Sequence, residues 1–161
     1  MLSLTRKADY ALVAMADLAR RSPDRASARA VAESSGIPLP MLTNILHQLM
    51  QGGLVTSVMG PKGGYQLARS PDRISLAELI DAIEGRFQLT VCCVDGGDAE
   101  LHGCDLESGC KIKRPVRKVH DMLHAFFGQV TLAHIALDSV PVSLGVPTVV
   151  VDRCLTVRDE V

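Results

Sequence analysis

Apolar positions recur at helical spacing through most of the first half of the chain, and the breaks fall where turn residues stand. Leu4 to Arg20 is rich in Ala and Leu, holds no Gly or Pro, and reads as a helix stopped at Ser22-Pro23-Asp24. Ser27 suits the N-cap of a short second helix, and Gly36 suits the residue that closes it. Ile37-Pro38-Leu39-Pro40 is too restricted for mid-helix but fits the entry to one. From Pro40 to Gln51 the separation is sharp. Met41, Leu42, Ile45, Leu46, Leu49 and Met50 are apolar, while Thr43, Asn44, His47, Gln48 and Gln51 are polar and fall on the opposite face. Gly52-Gly53 ends that helix, so the pair reads as a helix-turn-helix.

The period then changes. Leu54 to Val58 is strand-like, Met59-Gly60-Pro61-Lys62-Gly63-Gly64 is a turn, and Tyr65-Gln66-Leu67 returns, which predicts a β-hairpin with a glycine-rich tip. A helix-turn-helix followed at once by a hairpin is a winged helix. Ser75 opens a further helix with two start signals, a capping box with Glu78 and a staple between Ile74 and Leu79, and that helix should run to about Glu84 with Gly85 after it.

The stretch VCCVDGGDAELHGCDLESGC, residues 91–110, fits neither period. It holds four of the five cysteines, the acids Asp95, Asp98, Glu100, Asp105 and Glu107, His102 and four glycines, with no Lys or Arg. With so few apolar residues to bury, such a loop takes its order from something bound to its sulfurs. Lys111, Lys113, Arg114, Arg117 and Lys118 follow. From there Val116, Val119, Leu123, Phe126 and Val130 alternate three- and four-residue spacings, a seam of the kind that pairs helices. The seam predicts dimerisation, set against simple packing on the chain's own head. Thr131 can cap a last short helix through Leu137; residues 138–161, with Val149-Val150-Val151, take no assigned role.

Composition narrows the class. Of 161 residues 47% are hydrophobic but only 3% aromatic, so Ala, Leu and Val must build the core, which favours packed helices. The net charge of -1 names no partner, but its distribution does. Residues 1–80 carry nine Lys/Arg against six Asp/Glu, and residues 81–161 carry eight against twelve, so the first half is the one that can approach a polyanion. Arg6, Lys7, Asp9 and Asp17 interrupt any apolar signal core, and no run approaches the ~18 apolar residues of a membrane span. The cytoplasm is the expected compartment, where clustered cysteines bind metal or do redox chemistry more often than they form structural disulfides.

Two sets of residues carry candidate chemistry. On the helix 40–51, Thr43, Asn44, His47 and Gln48 face away from the apolar side; Asn and Gln can pair with an adenine edge and the Thr methyl can meet a thymine methyl. Alone this would be a solvated helix face; between a preceding helix and a following hairpin it reads as a DNA-reading surface. Lys62 at the wing tip adds charge beside Gly63-Gly64. The second set is Cys92, Cys93, Cys104 and Cys110. Ten residues separate Cys93 from Cys104 and five separate Cys104 from Cys110, unlike the C-x2-C pairs of a zinc ribbon, and thiolates in a glycine-rich loop suit an iron–sulfur cluster. Adjacent cysteines point apart, so one of Cys92 and Cys93 is the expected ligand. A fourth ligand could be the other of the pair, His102 or an acid from elsewhere. Cys154 reads as a small tail hydrophobe.

The stretches LTRKADYAL, LVTSVMGPKGGYQLA, ISLAELIDAIEG, the cysteine loop and VTLAHI together resemble the Rrf2 family of bacterial winged-helix regulators, which includes IscR-, NsrR- and RirA-like branches, over about residues 1–137. The resemblance implies a cytoplasmic homodimer on a partly palindromic double-stranded DNA operator, probing iron–sulfur, redox or nitric oxide status through a 2Fe–2S or 4Fe–4S cluster. It implies control, as a repressor, of iron–sulfur assembly or stress genes. It places Cys92, Cys104 and Cys110 at the cluster positions, with Cys93 as a substitute. In the NsrR-like branch a carboxylate early in the first helix of the partner subunit is the fourth ligand, and Asp9 stands at that position. The IscR-like histidine after the last cysteine is replaced here by Lys111-Ile112-Lys113, so Asp9 comes first and His102 second. Two features depart from the family: a longer loop between the first two cysteines, and Met59 where the wing often has arginine.

The expected protein is mainly α with a small β-hairpin wing and no membrane partner. It divides into a winged helix-turn-helix DNA-binding domain (1–84), a cysteine loop with a long dimerisation helix (85–137) and a tail (138–161). Two other readings stand beside it: a cluster-free regulator using zinc or a thiol switch, and a thiol oxidoreductase working through Cys92 and Cys93. The second is opposed by the absence of C-x-x-C and of a thioredoxin-like βαβ pattern.

Overall fold

Six helices and one hairpin make up the described part of the chain, residues 4–60, 63–86, 88–90 and 110–137 of a computed structural model. Helix α1 spans Arg6–Arg21, α2 Ala28–Ser35 and α3 Leu39–Gln51; strands β1 (Val55–Val58) and β2 (Gly64–Leu67) form the hairpin; α4 spans Leu76–Glu84, α5 Lys113–Gln129 and α6 Leu132–Ala136. A single 3-10 turn, Pro71–Arg73, leads into α4. Among the described residues no helix is long and apolar enough to cross a membrane.

The local signals act as their chemistry requires. Thr5 caps α1 by accepting from the Ala8 N–H, and Ser27 caps α2 by accepting from the Ala30 N–H. Gly36 ends α2 at φ 70°, a left-handed conformation that glycine adopts without a side-chain clash. Pro38 and Pro40 stand at the entry of α3, where the missing N–H costs nothing. The Ser75–Glu78 capping box is present in both directions, and Ile74 and Leu79, the staple pair, are both buried. A second capping box, Thr131 with His134, opens α6.

The core is small-residue and aliphatic, as the composition required. Ala8, Ala11, Ala14, Met15 and Leu18 of α1 pack against Leu42, Ile45, Leu46 and Leu49 of α3, with Val31, Ile74, Leu79 and Ile83 around them. Each fully buried aliphatic side chain contributes roughly 1.5–3 kcal/mol, so the four from α3 alone anchor that helix firmly. Leu132 and Ala136 of α6 belong to the same core, although in chain order they stand at the far end of the 85–137 segment. Arg20 Nε donates to the Ala136 carbonyl at 3.2 Å and satisfies the end of α6.

The return from α5 to α6 is stitched to the start of α4. The Leu76 N–H donates to the Val130 carbonyl at 2.7 Å, and the Leu132 N–H donates to the Ile74 carbonyl at 2.8 Å. Val130, assigned to the seam by its spacing, is therefore the C-cap of α5 and part of this bridge rather than of the helix face.

Candidate functional site

The hairpin is tied to the helix pair at two places. At its base the Leu54 N–H donates to the Leu49 carbonyl at 2.9 Å, so β1 starts directly off the end of α3. At its return strand Tyr65 and Ala26 exchange both backbone hydrogen bonds, at 2.8 and 3.0 Å, which fixes β2 beside the residue preceding the α2 N-cap. The antiparallel register pairs Val55 with Leu67 and Val58 with Gly64. Gly63 closes the tip through its N–H to the Gly60 carbonyl at 2.8 Å, and a Cβ there would meet the Val58 carbonyl oxygen at 2.2 Å, so only glycine fits. Met59 stands at the tip with 97% of its surface exposed. Lys62, the predicted wing cation, lies outside the described residues.

Helix α3 presents the polar face that its pattern demanded, with one correction. Thr43, Asn44 and His47 are exposed, and Thr43 Oγ1 donates back to the Leu39 carbonyl at 2.9 Å, leaving its methyl free. His47 Nε2 lies 3.3 Å from Gln51 Nε2. Gln48 does not stand fully outward with them: it is half-buried, and its Oε1 is buried without a hydrogen-bond partner among the described residues. Helix α4 comes close to α3 one turn further on. A Cβ on Gly52, one turn beyond Gln48, would come within 2.8 Å of the Ala82 Cβ, so this flank of α3 is pressed against α4.

The residues proposed to ligate a metal are only partly described. Cys92, Cys93, Cys104 and His102 lie outside the described residues. Cys110 is a free thiol, half-buried, three residues ahead of α5. Asp9 is exposed in the first turn of α1, where a carboxylate also complements the helix dipole. Thr5, the cap of that turn, donates its N–H to Glu84 Oε1 at 2.8 Å, which ties the start of α1 to the end of α4. Among the described residues no group of three His, Cys, Asp or Glu side chains gathers as a metal site. A complete ligand set would therefore need the thiols of the 92–104 stretch.

Helix α5 has one buried residue, His120, at 7% exposure. Its ring stacks near-parallel on His124 with centroids 6.5 Å apart, and His124 Nε2 stands 3.7 Å from Asp81 of α4. The seam positions are left open by contrast: Val119 is 48% exposed, and Val116, Leu123 and Phe126 are only partly covered. The helix begins without a side-chain cap. Sequence reading did not single out His120, because a histidine inside an amphipathic pattern carries no sign of which neighbour will cover it.

Comparison with known proteins agrees with this architecture. The family model Rrf2, described as an iron-dependent transcriptional regulator, matches residues 4–138. The HTH-type transcriptional regulator IscR of Xenorhabdus nematophila is 33% identical over 132 residues, covering 81% of this chain and 77% of its own. The solved structure of T. potens IscR superposes with a TM-score of 0.62 at 27% identity, over 89% of this chain and 92% of that one. CymR, the global cysteine regulator of B. subtilis, shares the fold with a TM-score of 0.64 at 23% identity, over 87% of this chain and all of that one.

Proposed function

The chain belongs to the Rrf2 family of transcriptional regulators, and we propose that it acts as a homodimer whose hold on a double-stranded DNA operator is governed by an iron–sulfur cluster. Its relatives make it a DNA-binding transcriptional regulator, not an enzyme. In this proposal Cys92, Cys104 and Cys110 are the cluster ligands and Asp9, from the partner subunit, is the fourth, with Cys93 and His102 as the alternatives. The donor chemistry fits: Cys110 is a free thiol, and three more thiols stand in the same glycine-rich segment. When bound, the cluster supplies an iron centre responsive to redox state and nitric oxide.

One observation carries the reading. The last cysteine of the segment is a half-buried thiol at the root of α5, and α5 runs on with an apolar side that is only partly covered among the described residues. A second copy laid along Val116, Val119, Leu123 and Phe126 would bury that side. In each head α3 would enter the major groove with Thr43, Asn44 and His47 toward the bases, and the hairpin would lie on the adjacent backbone with Lys62. The end of α4 and the first turn of α1 flank the exit toward the cysteine segment, so the placement of α5 against the head sets the spacing of the two recognition helices.

The test is an absorption spectrum of protein purified without oxygen, with iron and acid-labile sulfide quantified on the same sample. Matched iron and sulfide with a visible chromophore supports the cluster, and replacement of Cys110 by Ser should abolish it. Zinc alone, or a colourless protein after reconstitution with iron and sulfide, would replace the cluster with a zinc site or a thiol switch on the same winged helix.

A further inference from the structure

We propose that Arg25, held by Gln66 at the root of the hairpin, is a contact for a DNA backbone phosphate that fixes the wing and the recognition helix in one register. The inference rests on the reading of the head as the DNA-binding part and adds a contact that neither the α3 face nor the wing tip supplies. Arg25 Nε donates to Gln66 Oε1 at 2.9 Å, between residues 41 apart in sequence. That bond exists because the neighbouring Ala26 and Tyr65 are locked by their paired backbone hydrogen bonds, which bring the approach to α2 alongside β2. A Cβ on Gly64 would stand 2.6 Å from the Ala26 carbonyl oxygen, so the two backbones meet as closely as they can.

The charge at this place is not neutralised. Gln66 is an uncharged acceptor, and it uses only Nε. Both terminal nitrogens of the guanidinium remain for another acceptor, and the side chain is exposed. Two other arginines of the head differ. Arg21 is paired with Asp17 at 2.8 Å, and Arg69 with Glu78 at 2.8 Å. Among the described residues no carboxylate lies within ion-pairing distance of Arg25. A guanidinium oriented through one nitrogen, with its two terminal nitrogens left to donate in parallel, matches the geometry of a phosphate. Its position gives it a use: it stands where the helix pair and the hairpin join, so one phosphate bound there would orient both at once. Such contacts set register and carry no base information.

The experiment measures binding of the full-length protein to a labelled mixed-sequence DNA duplex across a salt series, so that no operator need be known. Arg25→Ala should lower the slope of log affinity against log salt by about 0.9 for each head bound, and weaken binding at about 0.1 M salt by roughly eightfold per head. Gln66→Ala keeps the charge but frees it, and should weaken binding while leaving the slope near that of the wild type. Arg25→Lys should restore the slope. Arg73→Ala, on the turn before α4, removes the same charge away from the hairpin. Equal losses for Arg73→Ala and Arg25→Ala would overturn the proposal by showing a general charge effect. So would a wild-type affinity and slope in Arg25→Ala. If the wild-type protein itself bound no duplex at low salt, the reading of the head would fall, and this contact with it.

Discussion

The backbone N–H of Thr5 donates to Glu84 Oε1 at 2.8 Å, joining the first helix cap to the last residue of α4 across 79 positions. The carboxylate satisfies one of the donors at the beginning of α1 and sits where the helix dipole favours negative charge. Glu84→Ala should therefore lower the unfolding free energy by about 0.5–1 kcal/mol, and Glu84→Gln by less, because its amide oxygen can still accept. Denaturant midpoints at constant slope measure this. An Ala variant as stable as the wild type would show that the bond is exchanged with water at no cost.

Helix α3 divides its polar residues into two kinds. Asn44 is exposed, and on the proposal that α3 reads DNA, Asn44→Ala should shift base preference by roughly 1–3 kcal/mol at one operator position. A uniform, sequence-blind loss would place it on phosphate instead. Gln48 carries a buried carbonyl without a partner, so Gln48→Met, similar in shape, should raise the midpoint of thermal unfolding, by about 1 kcal/mol in free energy. A lowered midpoint would mean that Oε1 finds a partner in solution.

Glu78 gives the head an acid limit. Burial alone would push its carboxyl up; hydrogen bonds from the Ser75 N–H, from Arg69 and from the Ser75 hydroxyl, together with the Arg69 charge, outweigh it and hold the group below the ordinary carboxylate range. A carboxyl lowered in the folded state adds stability that is fully present above its unfolded value, about 4.3, and is lost as pH falls through the folded value. The stability difference between wild type and Glu78→Gln should thus be present at neutral pH and shrink below about pH 4. A gap that does not change with pH would remove the carboxylate from this role.

The wing depends on a close backbone approach. At Gly64 an added Cβ would meet Ala26 backbone atoms at 2.6 and 2.8 Å, which cannot move aside as a side-chain tip would. Gly64→Ala should break the Ala26–Tyr65 pairing, cost roughly 1–3 kcal/mol, and speed amide exchange at Ala26 and Tyr65 before that of α3. Unchanged protection at both amides would contradict it.

Much of this was legible in the sequence because the signals are local. The caps at Ser27 and Ser75, the stop at Gly36 and the opposed faces of α3 depend on neighbours three or four residues away, and each stands where its chemistry placed it. The features that escaped depend on distant partners. Nothing near Gly52 in sequence announces that Ala82 will stand against it, and nothing near Arg25 announces Gln66. Val130 fits the spacing of the α5 seam, yet it is taken by Leu76 through a backbone bond that no periodicity encodes. Of the candidate metal ligands, Cys110 and Asp9 are placed, while Cys92, Cys93, Cys104 and His102 lie outside the described residues.

The bridge between Ser75 and Thr131 has one more consequence. It makes everything from Gly85 to Val130 a closed excursion whose two ends are pinned to the same small core. For such an excursion the entropic cost of closure grows only with the logarithm of its length, about 0.6 kcal/mol for each doubling. A few extra residues between the first two cysteines therefore cost the head a few tenths of a kcal/mol at most. The folding of the winged-helix part is in this way insulated from the length of the segment that carries the thiols.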